Sequence, residues 1–174
     1  VREQFPDAVI ASAEQTLDVI LDAASGWGSF ANATQTLTSG DATFGDITFE
    51  CLVMQDAESV APVVLYDGVT QTLISGDHVL NRQHLWLAED RIEAWRENLR
   101  DMADRWDIAS VLPGHGVVGG VELIDATDDY LQLFQQAKND GLSRADTRQL
   151  MLNKFPNYVF PGALETSLAV HFRG

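Results

Sequence analysis

The first half of the chain alternates apolar and polar residues, which is the pattern of β-strands that bury one side. In one such run, Ile47, Phe49, Cys51 and Val53 occupy alternate positions and share one face of a predicted strand. Asp67-Gly68 separates two further runs and is typical of a hairpin turn. The pattern predicts strands over residues 8–11, 34–37, 43–44, 47–54, 63–66 and 71–75, with turns at 39–41 and 45–46.

The second half of the chain changes to a helical period. Apolar residues recur every three to four positions and predict an amphipathic helix over about 89–106. The residues of this stripe are Ile92, Trp95, Leu99, Met102 and Trp106. The remaining predicted elements are a strand over 108–112 and helices over 121–138, 143–155 and 161–172. A β-rich stretch followed by helix, strand and helix favours a layered α/β domain, and we expect residues 1–174 to form a single domain.

Two of the predicted helices begin with capping signals. Ser12 with Gln15 has the spacing of a capping box before a helix that we expect to end within the glycine-containing segment 24–28. Ser143 with Asp146 has the same spacing before a later helix.

Composition limits the classes of function. The chain has 26 acidic and 11 basic residues and a formal charge of -15, so its surface repels phosphate backbones and anionic membranes. We therefore expect a small-molecule substrate and neither nucleic acid nor a membrane as partner.

Cys51 is the only cysteine, which excludes an internal disulfide and favours a buried thiol. No apolar run approaches the roughly 20 residues of a membrane helix. Since no signal-peptide pattern occurs, we expect a cytoplasmic protein.

Two short segments end an apolar run with glycine and one metal-competent side chain. They are residues 73–77, which end in Gly76-Asp77, and residues 111–116, which contain Gly114-His115. A carboxylate and an imidazole at neighbouring strand ends would form a site along one edge of an α/β sheet. The same residues also fit a turn or helix cap at Asp77 and a solvated loop histidine at His115. No Gly-x-Ser-x-Gly elbow occurs, so a side-chain nucleophile is not expected.

In their order and spacing, these segments resemble the second half of a metallo-β-lactamase-fold hydrolase. That family has a strand followed by Gly-Asp, a later Pro-Gly-His-Gly loop and an amphipathic helix between them, matched here by 73–77, 113–116 and 89–106. Residues 5–11 resemble the strand that follows the family's first metal motif, and the hairpin 63–77 resembles the strand pair that leads into its aspartate. The resemblance covers nearly the whole chain and implies the later part of an αββα sandwich.

Two departures from the family pattern affect the expected site. The His-x-His-x-Asp-His motif, which in the family precedes the strand that opens this chain, does not occur in the sequence. We therefore expect an N-terminally truncated domain that lacks the principal metal ligands. The family's Gly-His-Thr before the hairpin is replaced by Ala57-Glu58-Ser59, which puts Glu58 at the position of the histidine.

The resemblance implies a divalent metal site. Asp77 would bridge two metals and His115 would ligate one, while Glu58 is either an oxygen ligand or one acid among many. Zinc is the expected metal, and iron or manganese are alternatives that an added glutamate would favour. His84 and Asn81 follow Asp77 closely and are expected to contact the substrate, unless they serve only the structure of the loop.

The implied activity is hydrolysis of an ester, lactone, amide, sulfate or phosphate by a hydroxide held on the metal. The alternative is a non-catalytic module that retains the fold for binding or scaffolding, which the glutamate in place of histidine would allow. Because at most three candidate ligands are present, we expect the 174-residue chain alone to be inactive and incompletely loaded with metal. We also expect apolar sheet surface, uncovered where strands are missing, to promote self-association.

Overall fold

The described part of the chain contains two β-sheets and five α-helices. This computed structural model describes residues 4–5, 7–22 and 35–172. In chain order the elements are β1 (Ala11–Ala13), α1 (Glu14–Leu21), β2 (Gln35–Leu37), β3 (Gly40–Phe44), β4 (Ile47–Val53), β5 (Val63–Asp67), β6 (Thr72–Leu80), α2 (Ile92–Arg105), β7 (Ser110–His115), α3 (Glu122–Asn139), α4 (Arg144–Lys154) and α5 (Pro161–His171).

The larger sheet consists of β3 to β7, which lie side by side in chain order. Neighbouring strands from β3 to β6 pair antiparallel, whereas β6 and β7 pair parallel. A parallel pair needs a crossover connection, and α2 lies in the connection between β6 and β7. The predicted layered α/β architecture is therefore confirmed. The crossover also brings the carboxyl ends of β6 and β7 to the same edge of the sheet.

One face of the larger sheet packs against helices and forms the core, and we call it the covered face. Tyr66, Leu73 and Val111 lie in register across β5, β6 and β7 on this face, and all three are buried. They belong to one apolar cluster with residues of α2 and α3. The buried residues of α2 are Ile92, Trp95, Leu99 and Met102, as the helical spacing predicted.

The opposite face of the larger sheet is also apolar but more exposed, and we call it the open face. Cys51, Leu65, Ile74 and Leu112 form one row across β4 to β7 on this face. Of these four, Cys51 is buried as predicted, whereas Leu112 is 36% exposed. Ile47 has the same orientation in β4 and is 53% exposed. Burial in this sheet is thus decided by what packs on each face, and not by the apolar character of the strands.

The first predicted strand lies three residues later than expected. β1 occupies Ala11–Ala13 instead of 8–11, because these residues pair in parallel with β2. The turn predicted at 39–41 is wrong in part, since Gly40 and Asp41 already belong to β3 and pair with β4.

The capping box predicted at Ser12 and Gln15 is wrong. Ser12 belongs to β1, and α1 begins after Ala13 without a side-chain cap. Ala13, which has no hydrogen-bonding side chain, occupies the N-cap position, and Ser12 lies one residue too early to cap the helix. α1 ends at Leu21. The predicted positions 24–28 and 34 lie outside the described residues.

The second predicted cap is confirmed, because Ser143 is extended and its hydroxyl oxygen accepts a 3.1 Å hydrogen bond from the Asp146 amide. The helices predicted over 121–138 and 161–172 agree with α3 and α5 to within one residue at each end. The strand predicted over 108–112 is β7, which runs further and ends at His115. Within the described residues, no helix combines the length and apolar content that crossing a membrane requires.

Candidate functional site

The strand predicted over 71–75, with Asp77 just beyond its end, is β6, which instead includes Asp77 and continues to Leu80. Gly76 has a positive φ of 54°, and the register between β6 and β7 shifts on both sides of it. A shift of this kind bends a strand and re-aims the side chains that follow. Asp77 is therefore the first residue after a bend, where β6 leaves its regular ladder with β7.

β7 approaches Asp77 through a residue that has no side chain. A Cβ at Gly114 would collide with the Asp77 carboxylate and with the backbone of Gly76. Only glycine permits this approach without displacing the carboxylate. The next residue is His115, the last residue of β7. The bend in β6 and the glycine in β7 together place the Asp77 carboxylate beside the His115 imidazole.

The side chains of Asp77 and His115 lie next to each other at this edge of the sheet. The Oδ1 atom of Asp77 is 3.5 Å from the Nε2 atom of His115. The side chain of Asp77 is 44% exposed and that of His115 is 56% exposed. The two groups that the sequence predicted as metal ligands are thus brought together, and both are partly exposed.

Glu58 lies in the loop between β4 and β5 and borders the same cavity as Asp77 and His115. Burial raises the pKa of its carboxyl, and the negative charge of Asp77 raises it further. A hydrogen bond from Ser59 and the charge of Arg91 act in the opposite direction. The effect of the Asp77 charge on Glu58 indicates that Glu58 lies within electrostatic range of that carboxylate.

The donors present fit part of a metal site. A carboxylate oxygen and an imidazole nitrogen are donor types that zinc, iron and manganese accept in proteins. Over residues 4–5, 7–22 and 35–172, however, no three His, Cys, Asp or Glu residues lie close enough together to hold a metal ion. Glu58 thus shares the cavity without completing a three-ligand group. A full coordination sphere would need donors beyond those that the described residues bring together.

A cavity of about 450 Å³ opens in front of the two candidate ligands. Its lining combines polar groups, among them Glu58, Asp77 and His115, with several apolar side chains. The residues that line it are Glu58, Asp77, Leu80, Gln83, His84, Trp86, His115, Val159 and Phe160. A small-molecule site commonly combines an apolar wall with a few convergent polar groups in this way.

The structure separates the two residues that the sequence assigned to the substrate. His84 lines the cavity, and its ring is buried. Asn81 is not among the lining residues. Its side-chain amide donates a 2.8 Å hydrogen bond to the Val117 carbonyl, and its backbone amide donates to the His115 carbonyl at 3.0 Å. Asn81 thus holds the segment around His115 in place, and contact with a substrate stays a prediction for both residues.

The apolar wall of the cavity is absent from the sequence predictions. It contains Trp86, Val159 and Phe160, and the last two precede α5. The Val159 amide donates to the Arg82 carbonyl at 3.0 Å, and the Val159 carbonyl accepts from the His84 amide at 3.0 Å. This pairing joins segments that are far apart in the chain, so no local pattern reveals it. The one local signal is Phe160-Pro161, where an aromatic residue stands directly before a helix-starting proline.

Among solved structures, the chain is similar to several metallo-β-lactamases. It is 19% identical to a metallo-beta-lactamase from Pontibacter korlensis, with a TM-score of 0.63, covering 74% of this chain and 60% of that one. It is 18% identical to the DIM-1 metallo-beta-lactamase, with a TM-score of 0.62 and the same two coverages of 74% and 60%. It is also 16% identical to TMB-1, with a TM-score of 0.60, covering 74% of this chain and 59% of that one.

The chain spans about three fifths of the length of these structures. No protein-family model matches it, and no curated protein sequence matches it. At this level of identity, structural likeness establishes the fold and leaves the activity to be argued from the site. On this likeness the chain has the metallo-β-lactamase fold.

Proposed function

We propose that this chain is part of a metal-dependent hydrolase in which Asp77 and His115 are metal ligands. The observation that carries the proposal is their geometry, with carboxylate and imidazole 3.5 Å apart at one sheet edge and facing one cavity. A pair this exposed contributes little to stability. A ligand that both side chains bind is therefore the better explanation for two strand ends built around them.

Asp77 and His115 would hold the metal, and Glu58 is either a further oxygen donor from the β4–β5 loop or an acid that only borders the site. A divalent metal supplies Lewis acidity and an activated water at neutral pH. The chain's own residues position the reaction around it. The bend at Gly76 and the missing side chain at Gly114 fix the position of the Asp77 carboxylate, since a Cβ at Gly114 would collide with it. Zinc is the metal that we expect, with iron or manganese as alternatives.

The substrate would lie against the apolar wall of the cavity, with its reacting bond toward Asp77 and His115. We expect that bond to be an ester, lactone, amide, sulfate or phosphate. We also expect no turnover from the 174-residue chain alone, since its described residues bring no three metal donors together. Purified 174-residue chain that turns over an aryl ester, sulfate or phosphate would contradict this expectation.

A second candidate function is a non-catalytic binding or scaffolding module of the same fold. Two observations favour it, namely the glutamate at position 58 and the lack of a three-donor group among the described residues. In that case the cavity would still bind a small molecule, but metal content and turnover would be absent in the full-length protein.

The test is the metal content of the full-length protein after dialysis, measured by plasma emission spectrometry. Asp77→Asn and His115→Gln keep the side-chain size and should each lower bound metal at least tenfold and abolish hydrolysis. Asp101→Asn removes an exposed carboxylate of α2 and serves as the matched control that keeps both. Full metal content in both site variants would refute the proposed ligands. Absent metal and turnover in the unmodified protein would favour the binding module.

A further inference from the structure

Asp77 is the first residue of a bulge in β6. A register shift follows Gly76, and the pairing with β7 resumes where Leu80 lies opposite His115. In this gap β6 has three residues and β7 has one. Extra residues on one strand leave the regular ladder and bend that strand. The position of Asp77 relative to His115 therefore depends on how the bulge is closed at its far end.

Asn81, the residue after β6, closes the bulge with two hydrogen bonds. Its backbone amide donates to the His115 carbonyl at 3.0 Å, and its side-chain amide donates to the Val117 carbonyl at 2.8 Å. These two carbonyls belong to the residues on either side of Gly116. One residue thus ties the chain down at two points just beyond the His115 side chain.

The contact between Asn81 and Gly116 is also close. Gly116 has a φ of +94°, and a Cβ at this position would collide with the carbonyl oxygen and the Cβ of Asn81. Gly141 has a positive φ as well, of +68°, but its Cβ would lie in open space. Gly116 is therefore required both by its backbone conformation and by the approach of Asn81.

The core side of the bulge is held by a different contact. The indole N–H of Trp95 in α2 donates a 2.9 Å hydrogen bond to the His78 carbonyl. The side chains of His78 and Val79 are buried on this side. Loss of the Asn81 side chain would thus leave Asp77 anchored to the core and would release the segment that carries His115.

The gap between the two candidate ligands already suits one metal ion. The Oδ1 atom of Asp77 and the Nε2 atom of His115 are 3.5 Å apart. Two donors that each lie about 2.0–2.1 Å from a tetrahedral zinc are separated by about 3.3–3.4 Å. Because both side chains are partly exposed, the packing around them does not hold this distance. It depends on the backbone segments that carry them.

We propose that Asn81 is the positioning residue that sets the gap between Asp77 and His115, and with it the affinity of the site for a divalent metal. The inference rests on the proposed function for the two ligands and adds a residue that contacts neither metal nor substrate. It also gives Asn81 a role different from the substrate contact that its place in the sequence suggests.

The main test is the zinc dissociation constant of the full-length protein, measured by competition with a chelating dye. Asn81→Ala removes the bond to Val117 and should raise this constant about tenfold or more, as is typical when the support of a metal ligand is lost. Gln71→Ala is the matched control. Gln71 donates a 2.7 Å side-chain hydrogen bond to Asp107 and joins the same two strands at their opposite end, so its loss should leave the constant unchanged.

A second pair of variants disturbs the same contact from the other side. Gly116→Ala should raise the zinc dissociation constant at least tenfold, because the new Cβ displaces Asn81. Gly141→Ala also places a side chain on a left-handed backbone but meets no neighbour, and it should leave the constant unchanged. An equal rise in both glycine variants would show that backbone strain, and not the contact with Asn81, weakens the site.

Hydrogen exchange in chelator-treated protein separates positioning from a general loss of stability. In Asn81→Ala the backbone amide at position 81 should exchange at least tenfold faster, while the indole N–H of Trp95 keeps its rate. A faster rate at both sites would show a general loss of stability, and an unchanged rate at both would show that the side chain holds nothing. Either result would overturn the role of Asn81 without reference to the metal.

The failure of this inference differs from the failure of the proposed function. Unmodified protein that takes up no zinc would refute the proposed function and this inference with it. If the unmodified protein binds zinc and Asp77→Asn does not, but Asn81→Ala binds it as tightly as the unmodified protein, the two ligands stand and Asn81 is not their positioning residue.

Discussion

The covered face and the open face of the larger sheet are built from equally apolar strands but differ in what packs on them. Leu73 on the covered face is 0% exposed, whereas Leu112 on the open face, in the neighbouring strand, is 36% exposed. Leu73 belongs to one buried cluster with residues of α2 and α3, whereas the described residues leave Leu112 partly exposed. The difference teaches that alternation along a strand identifies its faces, while the partner elements decide which face becomes core.

The largest effect should come from truncating the two leucines in turn. Leu73→Ala removes a fully buried side chain and should lower the free energy of unfolding by about 2–5 kcal/mol. Leu112→Ala removes a partly exposed side chain of the same type and should lower it by roughly 1 kcal/mol or less. Urea unfolding followed by tryptophan fluorescence measures both. If Leu112→Ala proves as costly as Leu73→Ala, the open face is covered in the folded protein and the contrast fails.

The second prediction tests whether water reaches the buried side chains on the covered face. His78 follows Asp77 in β6, and its ring lies 6.0 Å from that of Trp95, with neither ring nitrogen paired among the described residues. Burial lowers the pKa of His78 from 6.5 to about 3. As the pH falls below 6.5, His78 becomes protonated in the unfolded chain but stays neutral in the folded chain. Stability is therefore present above pH 6.5 and is lost as the pH falls toward 3.

His78→Leu removes both the unpaired nitrogens and this titration. We expect the variant to be about 1–2 kcal/mol more stable at pH 7 in chelator. The gap should widen below pH 6.5 by up to about 1.4 kcal/mol for each pH unit. Urea midpoints at pH 7.0, 6.0 and 5.0 measure it. Parallel losses of stability in the two proteins over this range would show that His78 is solvated or bonded and that the covered side is not dry there.

A third effect concerns association through the open face. We propose that two copies of the chain meet there, since Ile47 is 53% and Phe44 is 37% exposed on that face. Ile47→Glu should raise the dissociation constant at least tenfold, because a charge would be buried in the contact. Val69→Glu makes the same change in the hairpin turn, where the side chain is 92% exposed, and should leave association unchanged. Light scattering over a concentration series measures this, and a strict monomer would refute the association.

The contrast between the two faces also explains which elements could be predicted from sequence. α2 was predictable because its apolar stripe repeats locally and every member of the stripe meets the same sheet face. The place of the hairpin between β5 and β6 was predictable because Asp67-Gly68 is a local turn signal, although Asp67 is the last residue of β5 and the turn itself runs over 68–71. The Ser12 cap failed because the pairing of β1 with β2 extends the strand through Ala13, so that the helix begins one residue later than predicted. Local patterns thus hold until a distant partner competes for the same backbone.

The candidate site likewise has some features that could be predicted from sequence and others that could not. The proximity of Asp77 and His115 was predictable because glycine and a polar side chain after an apolar run are visible within six residues. The continuation of β6 past Asp77 was not, since the bulge at Gly76 depends on the register with β7. The bond between His84 and Tyr130 joins residues 46 positions apart, and no spacing rule predicts it. The wall formed by Val159 and Phe160 depends on the pairing of their segment with Arg82 and His84.

The smallest effect concerns Glu58, in the loop outside both faces. Burial, followed by the nearby charge of Asp77, raises the pKa of Glu58 above 4.5 in the folded chain. Above pH 4.5 the unfolded chain releases this proton more readily than the folded chain does. The stability that the group contributes is therefore present below pH 4.5 and is lost as the pH rises through the raised folded pKa.

Glu58→Gln should thus raise the urea midpoint slightly at pH 7 in chelator, and the gain should vanish at pH 4. Glu97→Gln, on the exposed surface of α2, is the isosteric control and should change neither value. Adding zinc separates a ligand from a merely buried acid. If Glu58 binds the metal, zinc will stabilise the unmodified protein more than Glu58→Gln and reverse their order, since a ligand that binds only the folded state adds to its stability. If zinc raises both midpoints equally, Glu58 borders the site without belonging to it, and Asp77 and His115 must find their remaining partner elsewhere.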